Sequence, residues 1–326
     1  MDRAKKLIEL AAASGANAVK FQHFRAPYIV SKKGFNDLGT KIAHQAAWDK
    51  SVFQVYEEAS LPWEWTSQLA QAAKDNGVAF FTAPYDLEAI DFVDEFVPAF
   101  KVGSGDVTWL EAIRKMASKG KPIFLATGAS SFEDVKRAVT VVEEAGAPLC
   151  LMQCNTNYTG NLENRSFANL RVISTFSSEF PKAILGLSDH TSDNLTVLAA
   201  VALGACAIEK HFTDDRSRTG PDHSFSLNSQ QWRKMVTEAE LFRSILGDGI
   251  KKIEENELEA SIVQRRALRY SRDVSKGHVL IEDDLIPLRP CPINGWPPYK
   301  LDEALGRRLT KDIKSDELLE SDQLEE

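Results

Sequence analysis

The sequence predicts a parallel α/β fold of the TIM, or (β/α)8, barrel type, followed by a small β-rich domain. Three observations carry this reading. Helical and strand-like segments alternate regularly from Pro62 to Leu246. Polar, chemistry-bearing residues gather where the short apolar strands end. After Leu246 the periodicity changes, and a short motif occurs twice.

Residues 3–14 have the spacing of an amphipathic helix that Gly15 stops, and 18–23 (AVKFQH) reads as a strand. The connection 24–61 carries Tyr28, Phe35, Trp48, Phe53 and Tyr56; its length suits a lid or partial helix. Helices are then expected at 63–76, 87–96, 109–118, 132–145, within 167–180, at 194–203 and at 229–246, the last capped by Asn228. Strands are expected at 79–82, 99–103, 123–126, 149–153, 184–188 and 207–211. The tally is eight helices and seven strands, opening on a helix. A (β/α)8 barrel opens on a strand, so the expectation is a barrel lacking its first strand. Two unpaired strand edges would then predict low solubility or dependence on a partner.

With 326 residues, 43% of them hydrophobic, the chain can bury one large core and one small one. A net charge of −8 argues against nucleic-acid and anionic-membrane surfaces, which want basic patches. No apolar run approaches a membrane span and no signal sequence opens the chain, so a cytoplasmic protein is expected. Cys150, Cys154, Cys206 and Cys291 show no zinc-type spacing and read as free thiols.

Histidine is scarce and clustered: three of six, His190, His211 and His223, fall between Gly186 and Phe225. The strands at 184–188 and 207–211, joined by one helix, should lie parallel and adjacent, with His190 and His211 at the same height. Two such imidazoles suit a divalent metal, or are hydrogen-bonded strand-end residues. Lys20 and Gln22 end another strand, Lys101 precedes Gly103-Ser104-Gly105, and Thr127-Gly128 follows a third. A lysine inside an apolar strand is costly without a partner, so Lys20 and Lys101 with the GSG turn point to an anion site.

The region 248–266 reads as a charged linker with helical character. In 267–326, DVSKGHVLIEDDL at Asp273 is echoed by DIKSDELLESDQL at Asp312, which predicts a small pseudo-symmetric β domain. Between the copies, the proline-rich loop from Arg289 to Pro298 is either a well-positioned arginine carrier or a structural turn.

Taken together, KFQ at Lys20, KVGSGD at Lys101, ATG at Ala126, GLSDHT at Gly186, EKHFTDD at Glu209, GPDH at Gly220 and LRPCPINGWPP at Leu288 resemble the sialic acid synthases, the N-acetylneuraminate synthase family. The resemblance runs through the whole chain, including a C-terminal domain similar to an antifreeze-like or SAF domain. It implies a barrel at 1–247 and a SAF-like domain at 267–326. The implied reaction condenses phosphoenolpyruvate with a 2-acetamido hexose, N-acetylmannosamine or a related bacterial amino sugar, giving a nine-carbon 3-deoxy-ulosonic acid and phosphate. It also implies His190 and His211 as ligands of a divalent metal, usually Mn2+ with Mg2+ or Co2+ as alternatives. Lys20, Ser104 and Ser188 match phosphate contacts, Lys101 a carboxylate contact, and Gln22 and Asp222 residues at the sugar and metal. Arg289 matches an arginine that reaches the partner's barrel in a domain-swapped homodimer. Glu209 and Asp189, beside the ligands, either orient a histidine or face the helix layer.

This chain departs from the family in places. The E-x-G-x-N-H-x-G strand that usually opens family members precedes where Met1 falls. Ala83 and Ala126 replace hydroxyl residues at the phosphoenolpyruvate carboxylate, with Thr82 and Thr127 beside them to serve instead. Thr156 aligns with a family asparagine and is flanked by Asn155 and Asn157. Rival readings are a non-catalytic barrel or scaffold protein and a synthase of shorter 3-deoxy-ulosonic acid phosphates; the lysines disfavour the first and the SAF-like tail the second.

Overall fold

In the first part of the chain seven strands alternate with helices: β1 Ala18–His23, β2 Ala79–Pro84, β3 Phe100–Val102, β4 Ile123–Ala126, β5 Leu149–Cys154, β6 Ile184–Asp189 and β7 Ala207–Lys210. The computed structural model describes residues 1–40, 45, 46 and 48–325. It divides into two units, Met1–Gly247 and Asp248–Glu326.

All seven strands are parallel and lie in chain order. Each crossover is helical, as parallel neighbours require. The sheet curls into a TIM-like half-barrel, so that Lys20 on the first strand and Glu209 on the last come within 3.6 Å. Among the described residues no ladder joins β7 to β1. Outside that seam lies the helix Asp2–Ala13, which packs against helices Thr66–Asp75 and Ser229–Leu246. Arg233 donates to the Ala13 carbonyl at 2.7 Å, and Gly15, at φ 93°, leaves room for Val236.

Strand side chains alternate between two faces. One face meets the helices through Val19, Phe80, Phe100, Val102, Ile123, Leu125, Leu149 and Leu151, all buried in one apolar cluster. The opposite face lines the barrel interior, where Phe81 meets Phe124. Lys20, Gln22, Lys101, Ser188 and Glu209 belong to that interior set by the same period.

Some expected boundaries move. The helix expected within 167–180 is only Val172–Glu179, preceded by a 3-10 turn at Leu162–Phe167. Asn169, at φ 44°, interrupts any longer helix. The 24–61 connection holds helices Ala26–Ile29, Lys32–Asp37 and Val52–Ala59 around buried Ala26, Val30 and Val52. The expected lid falls partly on residues 41–44 and 47, outside the described residues.

In the second unit, residues 248–266 contain helix Leu258–Val263, and β8 Ala267–Tyr270 pairs antiparallel with β9 Leu285–Leu288. The repeated motif folds as a two-fold. Asp273 Oδ1 accepts the Ser315 N–H at 2.9 Å, as Asp312 Oδ1 accepts the Lys276 N–H at 2.7 Å. Val274 bridges Ile313, and Arg269 bridges Leu318 as Arg308 bridges Val279. Gly277 and its counterpart Asp316 both take positive φ, 84° and 70°. The matching pair Asp284 and Gln323 is buried, each accepting a backbone N–H three residues back, from Ile281 and Glu320.

Candidate active site

The C-terminal ends of β1, β3, β6 and β7 bring the polar interior residues together, where barrels of this type place their sites. Lys20 Nζ stands 3.6 Å from Glu209 Oε1, and Lys101 Nζ stands 3.9 Å from Glu209 Oε2. Lys101 is buried and also donates to the Val102 carbonyl at 2.7 Å. Burial, and behind it the like charge of Lys20, push the Lys101 ammonium below its ordinary range against the pull of Glu209. Burial acts the opposite way on Glu209, but Lys101 and Lys20, then His211 and His190, outweigh it and hold the carboxyl at about 2. Two ammonium groups thus share one carboxylate. An incoming dianion or trianion meets both.

Beside this cluster the two histidine rings lie 5.2 Å apart, centroid to centroid. His190 Nδ1 donates to the Asn155 carbonyl at 2.9 Å, with Cys154 Sγ at 3.8 Å. His211 Nδ1 faces Asp222 Oδ2 at 3.3 Å. A carbonyl oxygen accepts, so His190 Nδ1 carries hydrogen and the neutral ring keeps its lone pair on Nε2, the arrangement usual for imidazole ligands; the Asp222 carboxylate beside His211 Nδ1 favours the same tautomer there. This donor chemistry fits two histidine ligands of a divalent cation. Among the described residues no group of three or more His, Cys, Asp or Glu is arranged to hold a metal. Tyr158 covers the pair, its ring 4.4 Å from His190 and 6.1 Å from His211, and Phe225 lies 5.0 Å from His211.

The remaining predicted residues distribute as follows. Ser104 Oγ accepts the Gly128 N–H at 3.0 Å, which ties the GSG turn to the end of β4. A Cβ on Gly128 would sit 1.8 Å from Thr156 Oγ1, so only glycine fits that approach. Ser188 is buried, in register with Cys154 on one side and Glu209 on the other. Gln22 donates to the Tyr85 hydroxyl at 3.0 Å. Thr127 spends its hydroxyl proton on the Met152 carbonyl, and the Asn155 side chain donates to the Phe167 carbonyl. His223 contacts Thr213 at 2.7 Å rather than joining the other two histidines. Arg289 is exposed in the second unit, directly after β9.

The NeuB family pattern matches residues 7–251, three quarters of the chain. The chain belongs to the NeuB family. The SAF domain pattern matches 265–325. Among NeuB relatives, the chain is similar to N,N'-diacetyllegionaminic acid synthase of Campylobacter jejuni, 36% identical over 98% of this chain and 94% of that protein. It is also similar to human N-acetylneuraminate-9-phosphate synthase, 27% identical over 98% and 87%. The crystal structure of N-acetylneuraminic acid synthetase from Leptospira borgpetersenii superposes with a TM-score of 0.69 at 28% identity, covering 79% of this chain and 84% of that one. A spore coat polysaccharide biosynthesis protein E from Chromobacterium violaceum shares the fold with a TM-score of 0.80 at 22% identity, over 100% and 95%.

Sequence reasoning missed Tyr158 and Phe225. Their only signal was an aromatic residue in each of the two loops flanking the histidine strands. It left the direction of Glu209 and Asp189 open; the structure turns Glu209 to the lysines and Asp189 to the helix layer.

Proposed function

We propose that this chain condenses phosphoenolpyruvate with a 2-acetamido hexose, N-acetylmannosamine or a related bacterial amino sugar, to a nine-carbon 3-deoxy-ulosonic acid and inorganic phosphate. The convergence of Lys20 and Lys101 on one carboxylate beside the paired histidines carries the reading, and the names of the NeuB relatives support it.

In this reaction C3 of phosphoenolpyruvate bonds to the open-chain sugar aldehyde carbon, whose oxygen takes a proton. A water oxygen joins C2, and the C2–O bond to phosphate breaks. Lys20 and Lys101 bind the phosphate and carboxylate ends of the trianion, and the buried Lys101 does so with little competing water. Ser104 and Ser188 add hydroxyl contacts to phosphate, and the Gly128–Ser104 tie keeps the turn at a fixed height. Gln22 is placed for the sugar by Tyr85. His190 and His211 would hold a divalent cation, Mn2+ first among Mg2+ and Co2+, and when bound it supplies Lewis-acid stabilisation of the aldehyde oxygen. Asp222 fixes the tautomer of His211. Arg289 would contact the sugar's N-acyl group from the partner subunit of a domain-swapped homodimer.

The test is phosphate release from phosphoenolpyruvate with added Mn2+ and a panel of 2-acetamido hexoses. Release with at least one sugar, lost in Lys101→Met, is the expected result. No release with any sugar overturns the reading. Mixing Arg289→Ala with His190→Ala chains restores activity if subunits share sites, and failure to restore it argues for action within one subunit.

A further inference from the structure

Behind the histidines, on the helix-facing side of the sheet, lies a second charged cluster. Lys210 and Asp189 are 1% and 5% exposed and form an ion pair at 2.5 Å. They are the last registered pair of the β6–β7 ladder. His190 and His211 are the next residue on each strand, so the β6–β7 ladder ends just before both rings; beyond it the His211 carbonyl accepts from the Leu227 N–H, at 2.9 Å, on another segment.

The ion pair continues where the ladder stops. Besides Asp189 Oδ2, the Lys210 ammonium donates to the Thr191 carbonyl at 2.7 Å and the Asp193 carbonyl at 3.1 Å. An ammonium has three protons, and all three are engaged. Asp189 in turn accepts from the Thr191 N–H at 3.0 Å and from the Thr191 and Thr196 hydroxyls at 2.9 and 2.6 Å. His190 is therefore held on both sides, through Asp189 before it and Thr191 after it, by one side chain that also precedes His211.

We infer that Lys210, with Asp189, is a positioning residue that sets the relative height of the His190 and His211 rings. It touches neither substrate nor reacting atoms; it acts through the two strand ends. The catalytic consequence rests on the phosphoenolpyruvate reading above, whereas the placement of the rings does not.

The test compares the full chain as wild type, Lys210→Met and the double variant Asp189→Asn/Lys210→Met, which strands neither charge in the core and stays foldable if the single variant does not. Histidine ring signals are followed with ring-13C label. In the wild type, the ring currents of Tyr158 and Phe225, whose rings are tilted against the histidines with centroids at 4.4 and 5.0 Å, displace the His190 and His211 signals. In the folded double variant both signals change position while that of His278, in the other unit, stays. The kcat for phosphate release falls about 10- to 100-fold, as misplacement of about an ångström does. KM for phosphoenolpyruvate changes less than kcat, because its two lysines stand on β1 and β3 and Ser188 on β6 stays held within the ladder, in register with Cys154 and Glu209. A pair that merely stabilises the fold leaves ring signals and kcat unchanged in the folded double variant, and that outcome overturns the inference. Should the wild type release no phosphate with any sugar, the functional reading fails, and the ring signals alone decide: movement supports positioning and constancy refutes it.

Discussion

Replacing Glu209 with glutamine keeps the side chain's shape and removes the one charge that Lys20 and Lys101 share at 3.6 and 3.9 Å. The drop of its carboxyl from 4.5 to about 2 corresponds to about 3 kcal/mol at neutral pH. Removing one member of a buried pair costs a similar ~3–5 kcal/mol. The lower end applies, because Glu209 and Lys20 keep 19% and 17% of their side chains exposed. A depressed carboxyl contributes fully above its unfolded value and loses that contribution as pH falls toward its folded one. The relevant window is therefore from 4.5 down to about 2, and at pH ~3.5 roughly 1.4 kcal/mol should be gone. Urea unfolding of metal-free protein, followed by tryptophan fluorescence, reads this directly, since five of six tryptophans lie in the first unit. The expected result is a first-unit transition less stable by about 3 kcal/mol in the variant at neutral pH. That gap narrows at pH ~3.5, and narrows again with saturating phosphate, which takes the carboxylate's place between the lysines. A gap under about 1 kcal/mol, or one that ignores pH, refutes the reasoning.

Gly128→Ala places a Cβ 1.8 Å from Thr156 Oγ1 and should cut phosphate release at least about tenfold while raising KM for phosphoenolpyruvate; steady-state kinetics with and without a second Thr156→Ala change check this. Asp284→Asn removes a buried carboxylate that Arg272 holds at 2.6 Å and His278 at 2.7 Å. The second unit should lose about 2–3 kcal/mol, read from the fluorescence of Trp296 during urea unfolding. Gly277→Val at φ 84° should cost that unit about 1–2 kcal/mol, and Gly277→Asp less, because Asp316 already occupies the equivalent backbone; the same signal ranks them.

The parallel barrel architecture was legible because burial on both faces of a strand leaves few reasons for a polar residue, so Lys20, Lys101 and Glu209 stood out against their apolar neighbours. Period-2 alternation alone assigns Lys20 and Gln22 to one face, and it does the same for Ser188 and His190. What it lacks is an absolute phase: it puts Glu209 on the face of His211 and Asp189 on the face opposite His190, and only packing shows which face meets the helices and which the lysines. Loops carry no period, which hid Tyr158 and Phe225. Asn169, too, reads as an ordinary helical polar residue until its left-handed backbone is seen to end the turn. The repeated motif gave the small unit's symmetry from spacing, but not its partners.

Those partners are crosswise. Asp273 serves the second copy's backbone and Asp312 the first's, while Val274 meets Ile313 at the crossing. Each copy has donors that only the other copy satisfies, so one copy alone is not a smaller version of the fold but half of a handshake. A single copy, cut free, would complete these bonds only by finding its twin.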